Sequence, residues 1–175
     1  MNRLKNVQSL CDAVKRVTTN YPQVRLSVFG VPVSDEEMLA EEVAERVKSY
    51  ESSKEINFLG SVSEAEMSLF VAQGDLIALV STYKSECQPL SVITAMALNK
   101  KLLLADTAAM RATVGSYENV TYTTRRTEDI ANSLERILLS EEENKRSQTE
   151  INPIVLNRFS PDKFFRTMSE AINDW

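Results

Sequence analysis

The chain has 175 residues, 43% of them hydrophobic and 26% charged, with 4 Gly and 5 Pro; that is enough apolar mass for one core, and it excludes disordered, collagen-like and disulfide-dense classes. A formal charge of −5 argues against a nucleic-acid partner, because phosphate backbones are held by concentrated basic surfaces. There is no histidine, which removes Ser-His-Asp and Cys-His nucleophile pairs and any His-bearing zinc site, and leaves carboxylates, Lys, Arg and backbone dipoles for chemistry.

The first apolar residues, Leu4, Val7, Leu10, Cys11, Val14 and Val17, recur at three- and four-residue spacing and predict an amphipathic helix ending near residues 20–22. Residues 24–29 (VRLSVF) are β-branched and alternating, and Gly30 with Pro32 closes them into a strand followed by a loop. Ser34 can cap the next helix, with Asp35, Glu36 and Glu37 in its first turn, where the helix dipole favours negative charge. A short strand at 56–59 stops at Gly60, and Ser63 with Glu66 has the spacing of a capping box for a helix through Ala72.

Residues 76–80 (LIALV) are apolar without alternation, as a strand covered on both faces would be. A polar turn with one acid, Glu86, leads into a helix from Pro89 or Leu90 to Leu98. A strand at 102–104, a helix at 107–114, an edge strand at 120–123 and an amphipathic helix at 127–139 follow. The charged stretch 140–150 reads as an exposed connection or a frayed helix end. Ser160, Pro161 and Asp162 start a last helix with an apolar stripe of Phe164, Phe165, Met168, Ala171, Ile172 and Trp175.

Strands alternating with helices predict an α/β fold with a doubly wound, Rossmann-like parallel sheet, the whole chain 1–175 forming one lobe with 160–175 as its terminal helix. In such sheets ligands bind at the carboxyl ends of the strands, where helix N-termini present backbone N–H groups. Glu86 falls on that edge. The competing doubly wound folds lack support: there is no GxGxxG, no GxxxxGK[ST] and no early acidic pair of a receiver domain. Cys11 and Cys87 form neither a CxxC pair nor a zinc knuckle, so two reduced thiols and a cytoplasmic location are expected. No run approaches the ~20 apolar residues of a membrane span, and the N-terminal residues are too polar for a signal peptide.

Several stretches together carry a family resemblance. These are Lys5-Asn6 opening the first helix, VRLSVFG, INFLGSVSEAEMSLFVAQGDLIALVS, and above all ECQPLSVITAMA. The last resembles the E-G-F-P motif followed by four residues and E-A-M-A. Over nearly its whole length the chain is similar to the donor-binding, C-terminal lobe of retaining two-lobed glycosyltransferases (GT-B type, "group 1", which includes glycogen synthase). The resemblance implies transfer of a hexosyl unit from a nucleotide-diphosphate sugar to a glycan or glycoconjugate, as in polysaccharide biosynthesis, with no cofactor and no metal.

Carried over position by position, the resemblance makes Glu86 the acid that meets the donor sugar and Lys5 the cation at the diphosphate. Cys87, Gln88, Pro89 and Leu90 form the turn whose amides meet the diphosphate. Gly30 and Val31 lie beside the donor, and Leu59, Gly60, Ser61 and Val62 hold the base. The family's second glutamate falls on Thr94, a neutral hydroxyl in place of a charged bidentate acceptor. Its opening strand, with an Arg, has no counterpart before Lys5.

In a doubly wound sheet that strand is central. Its absence would leave two rows of backbone groups unpaired, so the chain is expected to be part of a longer protein. The partner is then an N-terminal acceptor lobe, which would also carry any peripheral membrane contact, and the chain alone should transfer little. The alternative is a non-catalytic accessory or binding subunit with an eroded donor site.

Overall fold

The structure is a computed structural model that describes residues 6–31, 40–81, 88–143, 152–160 and 162–163. In chain order the elements are α1 (Val7–Val17), β1 (Leu26–Phe29), α2 (Ala40–Glu51), β2 (Ile56–Gly60), α3 (Glu64–Gln73), β3 (Leu76–Leu79), α4 (Leu90–Ala97), β4 (Lys101–Ala105), α5 (Ala108–Val114), β5 (Val120–Thr123), α6 (Thr127–Glu143) and α7 (Pro153–Arg158). None of the described helices is long and apolar enough to cross a membrane.

All described strand pairs are parallel, as strands joined by helical crossovers must be. Among the described residues they form two sheets, β1-β2 and β3-β4-β5, where the sequence led us to expect one. β1 and β3 do not pair with each other among the described residues.

Strand alternation sorts the core into two layers. Leu103 of β4, Leu76, Ala78 and Val80 in and after β3, Leu26 and Val28 of β1, and Ile56 of β2 meet Val14 and Val17 of α1 and Ile130 and Leu134 of α6. Leu102 and Leu104 of β4 and Ile77 and Leu79 of β3 face the opposite way, onto Val92 and Met96 of α4, Met110 of α5 and Val155 of α7. Both half-sheets thus share the first layer through side chains. Cys11 is fully buried there, and burial pushes its thiol up to about 12, so it is an inert packing residue.

The helix starts follow their sequence signals. Ser63 Oγ accepts from the Glu66 N–H at 3.3 Å while the Glu66 carboxylate accepts from the Ser63 N–H at 2.8 Å, the expected capping box of α3. Replacing Ser63 with Ala should cost about 1 kcal/mol of stability, read by urea unfolding. The same bonds, the backbone one foremost, hold the Glu66 carboxyl below its ordinary value. The stabilisation is therefore complete above the unfolded-state carboxylate range and is lost as pH falls through the lower folded value. A Ser63→Ala penalty that stays constant through that acid window would contradict this linkage.

Three boundaries depart from expectation. β1 begins at Leu26. α6 continues past Leu139 to Glu143, into the stretch expected to be a connection. A short helix, α7, stands where none was foreseen, because Asn152 accepts from the N–H groups of Ile154 and Val155 at 3.1 and 3.3 Å and so caps it. The Ser160 start of the terminal helix is present as a bond from the Lys163 N–H to Ser160 Oγ at 3.3 Å. The stripe Phe164, Phe165, Met168, Ala171, Ile172 and Trp175 lies outside the described residues, as does the Ser34 cap.

Candidate functional site

The loops after β1 and β2 form one side of the sheet's carboxyl edge. The Gly30 N–H donates to the Gly60 carbonyl at 2.8 Å, so the segments containing Gly30 and Val31 and containing Leu59, Gly60, Ser61 and Val62 are brought together. Gly30 and Gly60 adopt φ of 103° and 67°, and an added Cβ would meet nothing within 4 Å at either. The demand for glycine here comes from backbone conformation. A shift of register between Val28 and Phe29 pairs Phe29 with Gly60, and the Phe29 ring packs on Phe70 of α3 with centroids 5.1 Å apart. Val31 is left 62% exposed.

The start of α4 forms the other side. Gln88 is exposed, Pro89 is half-buried, and Pro89 is the N-cap residue, which gives no side-chain bond. Leu90, in the first turn, is 65% exposed. Thr94 lies one turn further along, half-buried. Glu86, Cys87 and Lys5 lie outside the described residues.

A contrast among helix N-termini marks this edge. Of the helices whose N-cap is described, α3, α5 and α7 are capped by the side chains of Ser63, Thr107 and Asn152. α1 and α4 receive no bond from their N-cap side chains, Asn6 and Pro89. Asn6 instead takes a left-handed φ of 53° and sends Nδ2 to the Arg125 carbonyl at 3.0 Å. Arg125 lies in the loop between β5 and α6, so this bond fixes the N-terminus of α1 at the carboxyl edge of the parallel strands. The N-terminus of α4 follows β3 onto the same edge. Both N-termini without side-chain caps lie on that edge, the one of α1 beside the β5–α6 loop and the one of α4 after β3, and partial positive charge at such ends attracts anions.

The neighbouring charges are already engaged. Asp106, following β4, receives Arg111 through two bonds of 2.7 and 2.9 Å, and that bonding holds its carboxyl below the ordinary value. The Arg111 guanidinium lies 4.3 Å from the Tyr122 ring centroid. Arg126 is exposed and lies 3.7 Å from Glu128. The Asn6–Arg125 link joins residues 119 positions apart, and nothing in local sequence announces it.

With this geometry in view, three comparisons bear on the chain. The family model described as Glycosyl transferases group 1 matches residues 1–152. No curated protein gives a significant match. Among solved structures, HepE of Anabaena in complex with UDP-glucose is similar, with a TM-score of 0.77 at 19% identity, covering 100% of this chain and 47% of that one. The same protein in complex with UDP gives a TM-score of 0.75 at 21% identity, with 99% and 46% covered. Sucrose-phosphate synthase from Thermosynechococcus elongatus gives 0.61 at 19% identity, with 97% and 44% covered. At these identities the likeness establishes the α/β fold, and the chain spans about half the length of these proteins.

Proposed function

Because this chain belongs to the group 1 glycosyl transferases, we propose that it is the donor-binding lobe of a retaining, metal-independent, cytoplasmic enzyme that moves a hexosyl unit from a nucleotide-diphosphate sugar to a glycan or glycoconjugate. The placement of the α1 and α4 N-termini on the carboxyl edge of the strands, neither capped by its own side chain, carries this proposal. A diphosphate suits such a place, since backbone N–H groups and helix dipoles stabilise negative charge without a counter-ion. As the sugar–phosphate bond breaks, negative charge grows on the leaving diphosphate, and fixed dipoles aimed at it lower the barrier.

Lys5, directly before the Asn6 N-cap, adds the full positive charge at that point. Glu86, two residues before Gln88, orients the sugar through its hydroxyls. The paired loops with Gly30, Val31, Leu59, Gly60, Ser61 and Val62 bring backbone close to the nucleoside, and the turn with Cys87, Gln88, Pro89 and Leu90 receives the diphosphate. HepE, whose structures hold UDP-glucose and UDP, makes a uridine diphosphate sugar the first donor to test. The acceptor site belongs to a second lobe. A strand from sequence outside the chain would fill the interruption between β1 and β3, and without its partner lobe the chain binds donor and transfers little.

Thr94 favours a second function, a non-catalytic accessory subunit, because a half-buried threonine cannot supply the charged acceptor that holds ribose hydroxyls in the resembled motif. Calorimetric titration of the full chain with UDP-glucose and GDP-mannose separates the two. Donor binding should weaken at least about tenfold in Glu86→Gln and in Lys5→Ala, the size of one lost charge-assisted contact. Absence of heat with every donor selects the accessory function. Equal affinity in the Lys5→Ala variant removes the lysine from the mechanism.

A further inference from the structure

Asparagine is among the residues best suited to cap the start of a helix, and the chain places it at that position twice with opposite results. Asn152 stands in extended backbone at φ −79°, ψ 104°, and its side chain accepts from the Ile154 and Val155 N–H groups. Ser63 and Thr107 likewise cap from extended backbone. Asn6 stands at φ 53°, ψ 27° and makes no such bond. Of the two non-glycine residues with positive φ among the described residues, Asn99 lies just past the C-terminus of α4, where that conformation is usual. Asn6 opens a helix in it.

Stability does not account for the arrangement. A conventional cap would satisfy an N–H group in the first turn of α1. The bond Asn6 makes instead, from Nδ2 to the Arg125 carbonyl, is exposed, and an exposed hydrogen bond replaces one to water with little net gain. Nor does the pairing of α1 with α6 depend on it, since Leu10, Val14 and Val17 share a buried layer with Ile130 and Leu134. The far end of the bond is braced. Thr124 Oγ1 accepts from the Arg126 N–H at 3.2 Å and donates to Asp129, so the Arg125 carbonyl belongs to a held turn.

Placement is what the arrangement achieves. The first bond inside α1 runs from the Leu10 N–H to the Asn6 carbonyl at 3.3 Å, and helix geometry gives the Val7, Gln8 and Ser9 N–H groups ahead of it no partner within α1. A left-handed residue that gives up its cap is the kind of local conflict that folded chains keep at working positions. We infer that Asn6 is a positioning residue for the diphosphate of the donor. It leaves the first-turn amides of α1 to the ligand and ties that end of the helix to the β5–α6 loop, with Lys5 directly before it in sequence. The inference rests on the donor-lobe function proposed above and adds to it the residue that prepares the phosphate end.

Asn6→Ser and Asn6→Gly in the full chain test it, with UDP and GDP titrated separately. Serine restores a conventional cap and removes the bond to Arg125; glycine keeps the left-handed backbone and removes the bond alone. The urea midpoint of Asn6→Ser should equal or exceed that of the unaltered chain, while its Kd for the diphosphate that binds should rise about 5- to 10-fold, the effect of one lost hydrogen bond. Asn6→Gly should fall between the two in affinity. In nitrogen-15 spectra the same diphosphate should shift the Val7, Gln8 and Ser9 amides of the unaltered chain, and less so those of Asn6→Ser. A loss of stability in Asn6→Ser that parallels its loss of affinity would make Asn6 a structural residue and overturn the inference. Unchanged affinity in both variants, or silence of the amides at 7–9 while those at 88–94 respond, would overturn it and leave the donor-lobe function standing. No response of the unaltered chain to either diphosphate removes both.

Discussion

Leu103→Ala lowers the unfolding free energy of the chain by about 3–4 kcal/mol, in the middle of the range for fully buried leucines. Leu103 has no exposed surface and is the β4 residue of the layer formed with α1 and α6. Its neighbours in register are Ala78 on β3 and Thr121 on β5. Both side chains are small, so neither can move in to fill the space a missing isobutyl group leaves, and a cavity persists. Urea unfolding followed by circular dichroism should show a lower midpoint with an unchanged slope. Leu139→Ala serves as the comparison, since Leu139 is 53% exposed and should change stability by no more than about 0.5 kcal/mol. Equal effects at the two positions would refute the assignment of Leu103 to a shared central layer.

Gly115→Ala destabilises by about 2–3 kcal/mol, with two separable origins. Gly115 ends α5 at φ 60°, ψ −123°, a conformation that an alanine enters only with strain of about 1–3 kcal/mol. A Cβ at this position would also run into the Arg158 guanidinium. That group closes the end of α5 from α7, donating Nη1 to the Val114 carbonyl at 3.0 Å and Nη2 to the Ala112 carbonyl at 2.7 Å. Combining Gly115→Ala with Arg158→Ala isolates the collision. The double variant should be less destabilised than the sum of the singles, because the steric part disappears once the arginine is gone. Strict additivity would place the whole effect in the backbone, and a neutral Gly115→Ala would discard the account altogether.

Much of the architecture was readable from local chemistry. The Ser63–Glu66 box and the unalternating run of β3 are short-range patterns, and each appears where its residues put it; Thr107, read as the first residue of a helix, is the N-cap of α5. α7 escaped because its signal, Asn152 before Pro153, follows a long charged stretch. Its seat is also set from far away in sequence: the Asn152 N–H donates to the Ala97 carbonyl at 2.8 Å and its Nδ2 to Asn99 Oδ1 at 3.0 Å. The glycines of the candidate site were found as punctuation, whereas their coming together depends on parallel pairing of β1 with β2. Placement of α1 at the ligand edge likewise rests on a contact with the far end of the chain.

The divided sheet has a mechanical consequence. Among the described residues no ladder joins β1-β2 to β3-β4-β5; the two meet through the apolar layer they share with α1 and α6, and apolar contacts lack the directional grip of amide pairs. The half built on β1 and β2 can therefore breathe as a unit against the half built on β3, β4 and β5, and amide exchange should separate them into two cooperative blocks. A strand paired with both halves would fuse the blocks.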